Sequence, residues 1–106
     1  YFCKTFGEYP YKTYSVVQTK FIQGGMEFPA LVMISDNLEE KAYGEVIVHE
    51  TAHQWWQTCV GNNEIEYSFL DEGLAEYSVV LFYENYSSSA FCAIFIIALV
   101  IHFSCS

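Results

Sequence analysis

An α+β fold is the prediction for this 106-residue chain, and three observations carry it. Short runs of β-branched and aromatic residues come first. Two longer stretches with helix start and stop signals come after. No alternation of strand and helix of the doubly wound kind joins them. The length allows one small domain, and a content of 53% apolar and 19% aromatic residues is enough for a core and excludes a disordered chain. Four Lys and no Arg stand against 13 carboxylates, for a net charge of −9. That balance excludes nucleic acid and anionic lipid surfaces as partners, because both need Lys and Arg against phosphate.

The elements follow in order. Residues 11–23 read as a strand, with Tyr14, Val16, Val17, Thr19 and Phe21 setting its character. Gly24-Gly25 ends the run and frees the backbone to turn or to approach a ligand closely. After Pro29, Ala30 to Ile34 make a second short strand, and Ser35-Asp36-Asn37 is a loop whose Asp36 and Glu39 loosely form a capping box. Residues 43–59 read as a helix stopped by Gly61-Asn62-Asn63. Ser68 to Asp71 is a capping box that opens a second helix reaching about Asn85. The tail, 87–106, carries no charge and holds an apolar run from Ala90 to Phe103 broken only by His102. That run is shorter than the roughly 20 residues a membrane span needs, so a buried segment is the leading expectation, ahead of a truncated or frame-shifted end and a membrane segment. Cys3, Cys59, Cys92 and Cys105 lack a C-x-x-C pair. Reduced, mostly buried thiols are expected, and the compartment stays open.

The chemistry is concentrated in His49-Glu50-Thr51-Ala52-His53. On a helix, residues four apart lie about 40° apart on one face, one turn above the other, so both imidazoles can reach one tetrahedral Zn²⁺. Glu50 lies about 100° round from His49, placed to hydrogen-bond a water at the metal without being a ligand. A third ligand is required, and Glu72, in the first turn of the second helix, is the candidate. Three protein ligands leave a fourth position for water, the arrangement of a catalytic site. Glu50 is then the general base, and amide hydrolysis through a zinc-activated water is the reaction class. Glu76, one turn after Glu72, is either solvent-exposed or a partner that orients an imidazole. Trp55 and Trp56 are expected to pack rather than to stack on substrate.

The run His49 to Trp56, followed by Leu70-Asp71-Glu72-Gly73-Leu74-Ala75-Glu76-Tyr77, closely resembles the M1 family of zinc aminopeptidases. The eighteen residues between His53 and Glu72 match the family spacing. Gly24-Gly25-Met26-Glu27-Phe28-Pro29 is similar to its G-x-M-E-N exopeptidase motif, with Phe28 where the family has Asn. The resemblance implies a partial thermolysin-like zincin domain over 1–86, with 87–106 a tail that does not match. It implies His49, His53 and Glu72 as ligands of one Zn²⁺ and Glu50 as the base. It also implies a substrate-binding stretch of Gly24, Gly25, Met26 and Glu27, in which Glu27 holds the free α-amine of a peptide. The family's oxyanion Tyr, far downstream of the third ligand, has no counterpart, since Tyr77, Tyr83 and Tyr86 are too close to Glu72. The expected function is release of N-terminal residues from peptides with a free N-terminus. A thermolysin-like endopeptidase and an inactive zinc-binding remnant are the alternatives.

Overall fold

The computed structural model describes residues 1–61 and 63–86. In order these form α1 (Phe2–Phe6), β1 (Ser15–Thr19), β2 (Gly25–Phe28), β3 (Leu31–Ser35), α2 (Ala42–Ala52) and α3 (Glu64–Tyr86). The α+β class holds. The three strands make one sheet in the order β1-β3-β2, with β1 parallel and β2 antiparallel to β3.

The most apolar strand, β3, takes the central place. Its Val32 and Ile34 are 0% and 2% exposed. With Tyr14 and Val16 they form an inner face against Tyr43, Val46 and Ile47 of α2. The register sets Val16 and Glu27 on either side of Val32, and Gly25 opposite Ile34. Because strand side chains alternate between faces, Gly25 and Glu27 therefore lie on the inner face, toward α2.

The opposite side of α2 forms a second core, where Val48, Ala52 and Trp55 meet Ala75 and Val79 of α3 and Phe2 of α1. Helix α2 is thus the middle layer between sheet and α3. Tyr9 packs against both cores. Trp55 is buried and donates its indole N–H to the Gly7 carbonyl at 2.9 Å. Gly7 has φ +113°, a conformation that disfavours any side chain, so the chain can leave α1 beneath the indole.

Four details differ from the sequence reading. The strand expected over 11–23 is confined to Ser15–Thr19, and Gly24-Gly25, read as a breaker, leads into the edge strand β2. Pairing along β3 outweighs the weak strand propensity of glycine, because a Cβ on the inner face at Gly25 would have no room. The helix expected over 43–59 ends at Ala52, with His53 as its C-cap. Beyond it the backbone first tightens, with Gln54 N–H on Thr51 O and Trp55 N–H on Ala52 O, and then widens, with Thr58 N–H on His53 O and Val60 N–H on Trp55 O. Helix α1 was not foreseen, since one turn carries no periodicity; aromatic contact of Phe2 with Trp55 and Phe82 holds it. Finally, Cys59 is a free thiol, as expected, but it is exposed where a buried thiol was expected.

The second helix begins close to where the capping box put it. Tyr67 has non-helical angles, φ −134° and ψ 41°, which divide α3 just before Ser68. No helix among the described residues is long and apolar enough to cross a membrane. The expectations for 87–106 lie outside the described residues.

Candidate metal centre

His49 and His53 lie on the edge of α2 between its two packed faces. Their side chains are 20% and 1% exposed. Glu72 comes from α3, which the core of Ala52, Ala75 and Val79 holds against α2. Trp56 ties the same two segments by donating to Ser78 Oγ at 2.7 Å, while Ser78 donates to the Leu74 carbonyl.

The three donors converge. His49 Nε2 is 3.2 Å from His53 Nε2 and 3.2 Å from Glu72 Oε2, and His53 Nε2 is 3.5 Å from Glu72 Oε1. A tetrahedral ion with ligands at about 2.0–2.1 Å sets its donors about 3.3–3.4 Å apart along each edge. The two imidazoles present Nε2 to one another, an arrangement that a shared cation accommodates better than two lone pairs do. The donor set and its edges therefore fit Zn²⁺. A second group of metal-ligating type, Glu27, Glu50 and His53, adjoins the first through His53.

Glu76 Oε2 is 3.2 Å from His49 Nδ1, although the Glu76 side chain is 61% exposed. Both readings of Glu76 thus hold at once. With Nε2 given to an ion, Nδ1 would carry the proton and donate it to the Glu76 carboxylate, which would fix ring and tautomer.

Glu50 is buried on the sheet side of α2, and its Oε2 has no hydrogen-bond partner among the described residues. Its carboxyl is pushed up to about 8, first by burial, then by the charge of Glu27 and a hydrogen bond to it, then by the charge of Glu72. Two carboxylates in contact share a proton more readily than they both ionise. The buried Glu50 with the half-buried Glu27 and the exposed Glu72 beside it makes a locally anionic spot, whose charge a divalent cation would offset.

Glu27 reaches this group from the inner face of β2. Gly25 lies on the same face, and a Cβ there would fall 2.6 Å from Glu50 Cδ and 2.7 Å from Cγ. Gly24 differs: a Cβ would meet only Leu38 Cδ2, at 3.8 Å. Bulk at the two glycines therefore does not act alike, and only Gly25 shares its space with Glu50. Met26 pairs with Met33 and points to the other face of the sheet, so the structure does not bring its side chain to the cluster. The alternation of a strand, unforeseen for this stretch, is the reason.

One participant was missed as a structural element. Gln54 is fully buried next to His53. It donates from Nε2 to the Phe28 carbonyl at 3.0 Å and accepts at Oε1 from Ala30 N–H at 2.8 Å. Its position after the second His was visible, but a buried amide leaves no periodic signal.

Comparison with known proteins bears on the family. The family model described as the Peptidase family M1 domain matches residues 1–100. The chain is similar to proteins named aminopeptidase B from Rattus norvegicus, Mus musculus and Homo sapiens, each 32% identical over 79 residues, which cover 71% of this chain. The chain spans only about 12% of the length of these relatives. No solved structure matches it. With three converging donors on α2 and α3 and a match over nearly its whole length, the chain belongs to peptidase family M1.

Proposed function

We propose that this chain is the metal-binding core of a zinc-dependent aminopeptidase that hydrolyses N-terminal residues from peptides. The observation that carries the reading is the convergence of His49, His53 and Glu72, with Glu50 and Glu27 adjoining them. The M1 family is zinc-dependent, and His49, His53 and Glu72 are the residues that would hold the ion. Bound there, zinc supplies a Lewis acid that polarises the scissile carbonyl and acidifies water.

This chain's residues do the rest. Glu50 accepts a proton from the attacking water and returns it to the leaving amine; a cation beside it would offset the charges of Glu27 and Glu72 that favour its protonated form and so keep it ionised for the first step. Glu27 offers its carboxylate to the ammonium of the substrate, which selects a free N-terminus and disfavours extended peptides. Glu76 keeps the His49 ring in place. The layered packing excludes water from the sheet side of Glu50.

Glu50→Gln tests the reading. The variant is expected to retain one zinc per chain and to lose hydrolysis of free-amine peptides. Hydrolysis at the wild-type rate removes Glu50 as the base. A chain that binds zinc yet turns over no peptide favours the inactive remnant, and equal rates on free and acetyl-blocked peptides favour an endopeptidase.

A further inference from the structure

The amine-binding carboxylate proposed above sits on the weakest strand of the sheet. β2 is four residues long, lies at the sheet edge and, among the described residues, has β3 as its only strand partner. Its distance from the metal-binding helix must be fixed by something else. The geometry points to Gln54: we propose that it is a positioning residue that clamps the β2–β3 turn to the end of α2 and so sets Glu27 against the metal ligands.

Several observations support the clamp. The turn is two residues long, Pro29-Ala30, closed by the Phe28–Leu31 pair. Ala30 has φ +64°, the one described non-glycine residue in the left-handed region. Both polar ends of the Gln54 side chain are spent on this turn, one on Phe28 O and one on Ala30 N–H. Their complementarity fixes which end is oxygen. Gln54 is 0% exposed, so water cannot replace either bond. Since Gln54 directly follows His53, a shift of the turn is a shift of Glu27 relative to a metal donor. At the other end of β2, Gly25 closes against Glu50. Glu27 is thus held between two contacts with α2, one steric and one hydrogen-bonded.

The inference rests on the aminopeptidase reading, and its test separates the two. The probes are an amino-acid hydroxamate with its amine free and the same compound acetylated, bound by titration to the zinc-loaded full chain. Wild type is expected to prefer the free amine. Gln54→Met, which keeps the volume but neither bond, is expected to lower that preference about tenfold while leaving zinc stoichiometry at one. Gln54→Glu, which keeps the acceptor for Ala30 N–H, is expected to recover part of it. A merely structural role would weaken both probes alike, and that result overturns the clamp. A wild type that does not distinguish the probes overturns the aminopeptidase reading instead. Should Gln54→Met fail to fold, amide exchange in wild type decides: Ala30 N–H is expected to exchange at least a hundredfold slower than a free turn amide, and exchange at the free rate refutes the clamp.

Discussion

Glu50 makes the metal-free protein sensitive to pH in a direction that can be calculated. Its carboxyl titrates near 4.5 when unfolded and near 8 when folded. Below pH 4.5 it is protonated in both states and contributes no pH dependence. Between 4.5 and 8 the folded chain holds a proton that the unfolded chain has released, so stability falls as pH rises and levels off above 8. The slope is at most about 1.4 kcal/mol per pH unit, and with solvent screening of a partly exposed carboxylate cluster the loss across the window is on the order of 2–3 kcal/mol. Against a typical total of about 5–15 kcal/mol this is a large fraction. The assay is denaturant unfolding at several pH values from 4.5 to 8.5 with a chelator present, comparing wild type with Glu50→Gln. Gln keeps the shape, can donate to Glu27 and does not titrate. Taking the difference cancels the groups that do not touch Glu50 and reports the Glu50–Glu27 pair, and the variant is expected to gain on wild type steadily as pH rises. Parallel curves for the two proteins would refute the assignment of buried charge to Glu50.

Gly25→Ala should swing the Glu50 side chain off β2 toward water and flatten the same pH dependence, whereas Gly24→Ala should leave it intact; identical slopes for the two variants would contradict the crowding at Gly25. Zinc at a hundred times its dissociation constant should raise unfolding stability by about 2.7 kcal/mol, a gain that Glu72→Ala should abolish at the same zinc concentration; an undiminished gain excludes Glu72 as a ligand. Val32→Ala, at a fully buried position of the central strand, should cost about 2 kcal/mol in denaturant unfolding. A cost under about 0.5 kcal/mol would place Val32 outside the core.

What could be read from the sequence was whatever repeats with a period or a fixed spacing. The His49–His53 interval declares a shared helix face, and the start of α3 is announced by Ser68 and Asp71 and marked in the structure by Tyr67. Length and pattern both failed at β2. Four residues beginning with glycine have no strand propensity of their own, and they extend because β3 offers Leu31, Val32, Met33 and Ile34 to pair with. That tertiary decision also put Met26 on the wrong face to join Glu27. The end of α2 failed for a related reason. Trp55 N–H to Gly7 and Gln54 to the Phe28–Ala30 turn draw the chain into contacts that a continued regular helix would aim elsewhere.

The early end of α2 bears on the centre itself. His49 lies within a regular helix, but His53 is its C-cap, with helical φ −61° and ψ −18° and a backbone bond to His49 O at 3.3 Å. The two rings therefore keep the spacing of a helix turn, and the winding continues, tightened, through Gln54 and Trp55. From this turn Gln54 reaches the β2–β3 turn, and Trp56 reaches Ser78 on α3. One irregular segment thus anchors the middle layer to the sheet on one side and to α3 on the other. Glu27 and Glu72 arrive from those two sides, so the segment after His53 sets both relative to the imidazoles. Gln54 N–H bonds Thr51 O, and Trp55 and Trp56 N–H both bond Ala52 O, so the chain stays tightly wound here and Gln54 and Trp56, two residues apart, point roughly 200° round from one another, one to the sheet and the other to α3.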